Sequence, residues 1–566
     1  MPIAVTFRKH HKLLAIMKPP TVLVKARCLF RYRSPMLQLL SRTCRAGNSS
    51  SSSLPYSTGA KASTSPFERS LFQYKDYLKR ELARFDPDVP IELASTPPAS
   101  WFTDPAFHTL EMASIFSDNP LCVGSTLQIP LPGDYFCGQV GSHPFIVLRE
   151  ASGNVKAFYN VCRHKGMRLV AEDAGRVGQT VLTCPYHGWE YRLDGRLAKA
   201  TRVAGIRDFA PKDYGLLEIP LWTWGPLVFL RFGQAENEAP HVVGKDGSHP
   251  LAYLEPLLER LDAEHGFSSG LRHVRRRRYR VQVGFCGLIP YCTVLSTYLS
   301  STLVQFRPCR APSLTSLPSH PPSPSSRSLF RPPSTPQCNH KVVSDNYLDN
   351  GYHVPYAHKA LGNALDLSSY GASVHDRYSV QACRGAPSTS SPSFPPSTSA
   401  FSSSSPFPPR ISPNHGGGSA TRLGKAALYA HIYPGLMLNR YGPWMDLNIL
   451  FPVSSSSCDL IFDYFLEETF IAEKLEKDGE AGLRTYVEES LIASDEVQRE
   501  DTYLCENVQA GLESGGYDRG RYAPRVEFLD HVFHQWLAQD LRAAVGKIQG
   551  REGTHRPRWG KRGRML

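Results

Sequence analysis

Two pairs of cysteine and histidine constrain the fold of this chain more than any other feature of its sequence. The first pair is Cys162-x-His164 and the second is Cys184-x-x-His187, with nineteen residues between them. Each pair follows a short apolar run and lies beside a glycine, so each is predicted to lie on a loop between strands. Two thiolates and two imidazoles at this spacing suit a tetrahedral zinc site. They suit equally a [2Fe–2S] cluster in which two cysteines hold one iron and two histidines hold the other.

The residues around these pairs predict a compact antiparallel β domain over residues 119–234. Short apolar runs such as Phe145–Leu148 and Leu227–Leu230 are separated there by turns rich in Gly, Asn and Asp. A helical segment is predicted before this domain, over residues 67–118, and a second domain of strands and long amphipathic helices after it, over residues 235–546. The chain is long enough for such a multidomain protein with a sizeable core.

A second constellation lies in the segment from Asn346 to His358. His353 and His358 are five residues apart, and Asp349 lies just before them. Two histidines and a carboxylate can form the facial triad of non-haem Fe(II) oxygenases, which leaves coordination positions open for O₂. Taken alone, a pair of histidines at this spacing is a weak signal, because many such pairs are ordinary surface or core residues.

Several blocks of the chain resemble one known family. Cys162-Arg163-His164-Lys165-Gly166 and Cys184-Pro185-Tyr186-His187-Gly188-Trp189 look like the two cluster loops of Rieske oxygenases. The segments 345–359, 427–446 and 515–524 resemble the choline monooxygenase family in particular. The match extends from about residue 67 to residue 541. It implies an α+β chain with an all-β Rieske [2Fe–2S] domain and a helix-grip catalytic domain, an antiparallel sheet with helices.

The resemblance also implies the metal ligands. Cys162, His164, Cys184 and His187 are the expected ligands of one [2Fe–2S] cluster, with the histidines on the iron nearer the surface. His353, His358 and, by position in the family's distal segment, Asp501 are the expected ligands of one mononuclear iron. Asp495 and Glu506 are the alternative acids for the third position.

Further site residues come from the same match. The family places an acid that bridges the two metal centres at a position occupied here by Asn350, so Asp349, one residue earlier, is the favoured bridge. Asp349 and Asn346 are predicted to be catalytic residues. Aromatic faces attract quaternary ammonium groups, so Tyr441 and Trp444 are candidates for a substrate-binding cage.

The reaction that the resemblance implies is hydroxylation of choline by O₂ to betaine aldehyde hydrate, the first step toward the osmoprotectant glycine betaine. The family forms trimers and takes electrons from a ferredoxin or a separate reductase. The chain has no Gly-x-Gly-x-x-Gly fingerprint after a strand, so no nucleotide cofactor of its own is expected. The run Arg275–Arg278 either docks an acidic ferredoxin or, as we favour, is a solvated edge strand.

Other functions stay open at this stage. The chain could be a Rieske monooxygenase or demethylase that acts on another quaternary ammonium, such as carnitine or a betaine. An aromatic-ring oxygenase is a weaker candidate. A Rieske electron carrier without oxygenase activity is the candidate from a different class, but a carrier would need neither the two histidines nor Asp501.

The N-terminus has the composition of an organelle transit peptide. The chain carries a formal charge of +13, and residues 1–67 hold eleven Lys and Arg without any acid, so nearly all the excess lies there. An Arg- and Ser-rich, acid-free leader predicts targeting to a chloroplast or a mitochondrion, with the plastid favoured by the family resemblance. Because the excess charge is local, no nucleic-acid partner is expected.

Two segments lack the pattern of a folded domain. Residues 283–337 and 384–418 are rich in Ser and Pro and are predicted to be inserts without a core of their own. Joining Gln282 to Cys338 restores the family pattern, so both inserts are hypothesised to be retained introns, with a genuine surface insertion as the alternative. No membrane span is expected, and residues 547–566 are predicted to be a basic tail.

Overall fold

The computed structural model describes most of the chain between residues 66 and 550. The described ranges are 66–178, 180–233, 249–268, 270–279, 336–358, 361–362, 365–385 and 426–550. The predicted transit peptide, the basic tail beyond residue 550 and nearly all of both predicted inserts therefore lie outside the described residues. Within the described residues, no helix is both long enough and apolar enough to cross a membrane.

Four helices precede the first strand. They are α1 Pro66–Leu82, α2 Ser100–Thr103, α3 Pro105–Ala113 and α4 Ile115–Asp118. Leu71, Leu78 and Leu82 lie at helical spacing and are buried along one face of α1. Helix α3 begins where Asp104 accepts a hydrogen bond from the backbone N–H of Ala106 at 2.8 Å, the usual capping arrangement at a helix N-terminus. These helices join the same hydrophobic core as the C-terminal domain.

Ten short strands follow and form three small antiparallel sheets. The strands are β1 Leu121–Ser125, β2 Asp134–Val140, β3 His143–Arg149, β4 Val155–Tyr159, β5 Ala174–Arg176, β6 Val181–Thr183, β7 Glu190–Arg192, β8 Leu197–Lys199, β9 Leu221–Trp224 and β10 Leu227–Leu230. Their orders are β1-β10-β9, β4-β3-β2-β5 and β6-β7-β8. A separate hydrophobic cluster lies beneath the loops that carry Cys162 and Cys184, so the two loops rest on a core of their own.

The C-terminal domain is a seven-stranded antiparallel sheet with helices. The strands are β11 Leu271–Tyr279, β12 Leu365–Val374, β13 Tyr378–Gly385, β14 Ala426–Ile432, β15 Leu436–Tyr441, β16 Trp444–Ser454 and β17 Ser457–Glu467. Their order is β11-β17-β16-β15-β14-β13-β12. The helices are α5 Glu255–His265, α6 His340–Leu348, α7 Val354–Ala357, α8 Glu468–Glu513 and α9 Phe528–Gly550. Helix α8 is interrupted at Gly479, whose φ of 67° is left-handed. The predicted α+β class, with a β-rich domain and a helix-grip domain, is confirmed.

The arginine run lies on β11, which is an edge strand of the large sheet. All four side chains form ion pairs within the chain, with Glu488, Asp463, Asp495 and Asp173 in turn. Arg276 is largely buried and also donates to the backbone oxygen of Val123 at 3.0 Å. Arg276 and Arg278 therefore connect β11 to the β-rich domain, whereas Arg275 and Arg277 pair with helix α8 of their own domain. The run lies on an edge strand as predicted, but its side chains are paired within the chain, so it is neither a free docking patch nor a fully solvated edge.

The second predicted insert begins later than its sequence suggested. Arg384 and Gly385 are the last residues of β13, and Arg384 lies opposite Ala426 of β14. The two strands on either side of the undescribed segment 386–425 are therefore direct neighbours in the sheet. Pro336 and Gln337 are likewise part of the described structure, since the backbone N–H of Gln337 donates to Glu506 at 3.1 Å.

Candidate metal centres and active site

The two cluster loops have the same backbone hydrogen bonds. In the first loop Gly166 N–H donates to Cys162 O at 3.0 Å, and Cys162 N–H donates to Met167 O at 2.8 Å. In the second loop Gly188 N–H donates to Cys184 O at 3.0 Å, and Cys184 N–H donates to Trp189 O at 2.7 Å. Both glycines have a left-handed φ, 71° and 67°, which other residues adopt only with strain. The matching turns bring the tips of the two loops together.

The four predicted cluster ligands lie at these tips, cysteines inside and histidines outside. Cys162 and Cys184 are buried and their thiols contact each other, which contributes to the raised pKa of Cys184 after the larger effect of burial. The rings of His164 and His187 are 4.7 Å apart, and His164 is exposed. Trp189 stacks on His164 with ring centres 4.9 Å apart and planes within 5°. The histidine pair thus lies nearer the surface.

The spread of these four donors fits two irons better than one zinc. A single ion would require ligand atoms that all lie close to one another. Within the described part of the chain, only His353, His358 and Asp501 form a set of three or more donors within 4.8 Å of one another. The cysteine and histidine donors of the loops are more widely spaced, as expected when two cysteines hold one iron and two histidines hold the other.

The second centre is built from α7 and α8. His353 and His358 flank the short helix α7 at its two ends, and Asp501 comes from the long helix α8. The Nε2 atoms of the histidines are 3.1 Å apart, and Asp501 Oδ1 is 2.9 Å from His358 Nε2 and 3.6 Å from His353 Nε2. Donors at bond lengths of about 2.1 Å from one ion and at right angles to each other would be about 3 Å apart. The residues therefore fit one ion with a two-histidine, one-carboxylate set.

Each of the two histidines has its own carboxylate behind it. His353 Nδ1 lies 2.7 Å from Asp349 Oδ2, and His358 Nδ1 lies 2.9 Å from Glu500 Oε2. An ionised carboxylate only accepts hydrogen bonds, so each Nδ1 carries the proton and each Nε2 is left for the metal. Asp349 also accepts from the backbone N–H of His353 at 2.9 Å. Glu500 was missed in the sequence, where the only signal was its position next to Asp501.

The protonation equilibria of the triad reflect this mutual arrangement. Burial lowers the pKa of His353, but hydrogen bonds with Asp349 and Asp501 outweigh burial and raise it to about 10. The pKa of His358 rises to about 9 because Asp501 and Glu500 likewise outweigh burial. Burial raises the pKa of Asp501, yet its two histidine partners lower it to about 2. The centre thus favours a positive charge next to the ionised carboxylate of Asp501. A bound metal cation would supply that charge.

The other predicted site residues divide into those near the triad and those away from it. Asn346 Nδ2 donates to Asp501 Oδ1 at 3.4 Å. Asn350 has a left-handed φ of 55° and follows directly after Asp349. The two alternative acids are elsewhere: Asp495 pairs with Arg277, and Glu506 accepts from the backbone of Gln337.

A cavity of about 190 Å³ opens beside the triad. Five aromatic side chains line it, namely Tyr347, Tyr370, Tyr429, Tyr441 and Phe462. The Tyr441 hydroxyl donates a hydrogen bond to the buried carboxylate of Asp446, which also lines the cavity. Trp444 does not line the cavity: it is fully buried against helix α8, and its indole N–H donates to Tyr486 at 3.0 Å. Trp444 is therefore a core residue, and the prediction that it forms part of a cage is corrected.

Comparison with known proteins identifies the family. Residues 119–210 match the family model of the Rieske [2Fe–2S] domain, and residues 329–543 match that of the ring hydroxylating alpha subunit (catalytic domain). The chloroplastic choline monooxygenase of Arabidopsis thaliana is 35% identical over 465 residues, 82% of this chain and 87% of that protein. The chloroplastic choline monooxygenase of Spinacia oleracea is 30% identical over 458 residues, 81% of each chain.

Two solved structures share the fold at lower identity. A quaternary ammonium Rieske monooxygenase matches with a TM-score of 0.55 at 19% identity, covering 80% of this chain and 96% of its own. Naphthalene 1,2-dioxygenase from Rhodococcus sp. matches with a TM-score of 0.55 at 17% identity, covering 83% and 98%. The two domains are those that carry a [2Fe–2S] cluster and a mononuclear iron. The chain belongs to the choline monooxygenase family of Rieske-type non-haem iron oxygenases.

Proposed function

We propose that the substrate is choline, which the protein hydroxylates to betaine aldehyde hydrate. The reaction joins the alcohol, O₂, two electrons and two protons, and it releases the aldehyde hydrate and one water. The relatives named choline monooxygenase support this substrate. The observation that carries it is the charge of the cavity: besides Asp349 and Asp501, which serve the iron centre, its described lining residues include the carboxylate of Asp446 but no Lys or Arg.

The lining suits a cation that has no hydrogen-bond donor on its nitrogen. Tyr370 and Tyr429 have parallel rings with centres 6.4 Å apart, and Tyr347 is nearly perpendicular to Tyr429 at 6.4 Å. Aromatic faces in two orientations can surround methyl groups of a trimethylammonium, with a cation–π contribution of up to about 2 kcal/mol for each desolvated contact. The carboxylate of Asp446 adds a negative charge at the same cavity.

Charge also separates choline from the alternative substrates. Carnitine and glycine betaine carry a carboxylate, and burying a carboxylate without a cationic partner is costly. Glycine betaine remains the second candidate, because a bacterial glycine betaine monooxygenase oxygenase subunit is 39% identical over 168 residues, 30% of this chain and 37% of that protein. The acidic lining therefore favours choline, an alcohol that carries a cationic group but no anionic group.

The roles of the individual residues belong to the same proposal. Cys162, Cys184, His164 and His187 hold the [2Fe–2S] cluster, which supplies electrons one at a time. His353, His358 and Asp501 hold the iron, which supplies O₂ activation when bound. Asp349 bridges the centres by accepting from His353 on one side and from a cluster histidine of a neighbouring subunit on the other. Asn346 positions Asp501 through the hydrogen bond between their side chains.

Further proposals concern the electron donor, the oligomeric state and the cellular location. The electron donor is a reduced ferredoxin or a separate reductase, and the assembly is a homotrimer in which each cluster serves the neighbouring iron. The acid-free leader and the chloroplastic relatives support a plastid location. We propose the domain organisation expected from the sequence, with the second insert starting after Gly385.

The inserts are proposed to be dispensable for the fold. Because β13 and β14 are adjacent, a short hairpin turn would connect them as well as segment 386–425 does. A variant in which a short turn replaces residues 386–425 should unfold at the same urea concentration as the full chain. A large loss of stability would show that the segment contributes to the folded core.

Substrate binding tests the cage. Tyr370→Leu and Tyr429→Leu keep apolar area but remove the ring quadrupole, so each should weaken choline binding about tenfold or more. The neutral isostere 3,3-dimethylbutanol should bind poorly and lose little in either variant, and Tyr74→Leu, at an exposed position on α1, is the control. Equal binding of choline and the isostere would contradict the proposal, as would normal choline binding by both cavity variants.

A further inference from the structure

Three buried cysteines meet beside the active-site cavity. Cys338 lies two residues before the start of helix α6, Cys458 lies in β17, and Cys505 lies in helix α8. Their exposures are 0%, 0% and 3%. The thiol of Cys338 lies within hydrogen-bonding distance of both Cys458 and Cys505, and all three are free cysteines. Cys338 thus has two potential disulfide partners.

Only Cys505 of the three cysteines is among the lining residues of the cavity. Cys505 contributes to the wall that also contains His353, His358 and Asp501, whereas Cys338 and Cys458 lie behind it. Cys505 follows Asp501 by four residues in the same helix, so the two side chains lie on one face. Of the three cysteines, Cys505 is therefore the one that a small molecule in the cavity would reach first.

The backbone holds Cys338 against helix α8 from both sides. Gln337 N–H donates to Glu506 Oε1 at 3.1 Å, and Asn339 N–H donates to Gln509 Oε1 at 2.9 Å. These two bonds bracket Cys338, so its distance from Cys505 is fixed by the fold. An S–S bond of about 2.05 Å requires the two sulfur atoms to move closer than their present hydrogen-bonding distance.

We propose that Cys505 and Cys338 form a peroxide-oxidation site in the wall of the active-site cavity. Hydrogen peroxide that enters the cavity oxidises the Cys505 thiol: the O–O bond breaks, an S–O bond forms and one water leaves. The Cys338 sulfur then attacks the sulfenic acid, the S–O bond breaks, an S–S bond forms and a second water leaves. In total, one peroxide is reduced to two waters while two thiols become one disulfide.

The disulfide would link the two elements that carry the iron ligands. Cys338 leads into α6 and onward to His353, and Cys505 lies one turn beyond Asp501. The contact with Cys338 and burial both raise the pKa of Cys505, so the fraction of thiolate is small and oxidation should be slow, with peroxide as with other reagents. Selectivity for peroxide then comes from entry into the cavity, and reduction of the disulfide restores the original site.

Peptide mapping of the holoprotein tests this inference without any substrate, so its outcome is independent of the choline assignment. After treatment with hydrogen peroxide and alkylation, non-reducing digestion should yield a Cys338–Cys505 peptide that dithiothreitol removes. In Cys338→Ser, dimedone should label Cys505, because the sulfenic acid has no partner. Cys458→Ser should form the same disulfide as the wild type, and buried Cys383, outside the cavity wall, should remain unmodified.

The two neighbouring thiols of Cys338 make the experiment decisive. Cys458 is as deeply buried as Cys338 but does not line the cavity. If thiol contact alone governed the reaction, a Cys338–Cys458 disulfide would form as readily. Finding that link in place of Cys338–Cys505, or finding Cys505 unmodified while Cys383 is oxidised, would overturn the proposal. The wild-type map alone decides this if a variant fails to fold.

Discussion

Removal of the Glu500 carboxylate should weaken iron binding without disturbing the cluster. Glu500 Oε2 lies 2.9 Å from His358 Nδ1, so it fixes both the tautomer and the ring orientation of an iron ligand. In Glu500→Ala the imidazole is free to place its proton on Nε2, the atom that faces the metal. His358 is almost fully buried while the Glu500 side chain is 19% exposed, so water could fill the vacated place but would not fix the imidazole as a carboxylate does.

The expected loss of iron affinity follows from the role of the carboxylate that accepts a hydrogen bond from a metal-ligating histidine. Losing the acceptor behind a metal-ligating histidine typically costs 10- to 100-fold in metal affinity, or about 1.4 to 2.7 kcal/mol. Glu500→Gln keeps an acceptor oxygen but removes the charge, so its loss should be smaller. Glu489→Ala removes an exposed acid from the same helix and should leave iron affinity unchanged.

The assay is competition for Fe(II) between the protein and a chromogenic chelator, with the visible absorption of the cluster recorded in each sample. We expect the order wild type, Glu500→Gln, Glu500→Ala in decreasing affinity, with the cluster spectrum constant. If Glu500→Ala binds Fe(II) within twofold of the wild type, the carboxylate does not orient His358 and this reasoning is wrong.

Three further changes test the buried Arg276–Asp463 ion pair, the cluster and the bridge. Asp463→Ala leaves the Arg276 guanidinium buried without its partner and should lower the free energy of unfolding in urea by about 3 to 5 kcal/mol. Arg276 and His273 outweigh burial and lower the pKa of Asp463 in the folded protein to about 2. The stabilisation is therefore present above the unfolded pKa, and the wild type should lose it as the pH falls from about 4 through about 2. His187→Ala should remove the cluster and its colour, and a coloured variant would refute the ligand assignment. Asp349→Asn should keep both metals but slow electron transfer by orders of magnitude in stopped-flow, whereas Asn350→Gly, which suits the left-handed backbone, should be nearly silent; the reverse result would make Asn350 the bridge.

Most of what the sequence could predict depends on residues that are close together in the chain. The cluster loops depend on short motifs whose glycines fix the turns, and the two histidines around α7 are close in the chain. Asp501 was reached only through resemblance to a family, since no local rule connects it to His353 across more than a hundred residues. The fold connects them, because α8 lies beside α6 and α7.

The sequence does not predict contacts that no periodic pattern of residues encodes. Glu500 resembles any other acid of a charge-rich helix, and only the rotation of α8 directs it to His358. Trp444 and Tyr441 lie opposite each other across a hairpin, yet only Tyr441 lines the cavity. The arginine run was predicted to be solvated because its acidic partners are distant in sequence, from Asp173 to Asp495.

The ratio of betaine aldehyde formed to O₂ consumed shows whether this iron centre oxidises choline. Purified protein with a ferredoxin and its reductase is supplied with choline, and both quantities are measured in the same vessel. We expect a ratio near one for the wild type and no aldehyde for Asp501→Ala, although that variant keeps its cluster absorption. If choline yields no aldehyde while glycine betaine or carnitine supports O₂ uptake, choline is not the substrate; if Asp501→Ala is as active as the wild type, Asp501 does not hold the iron.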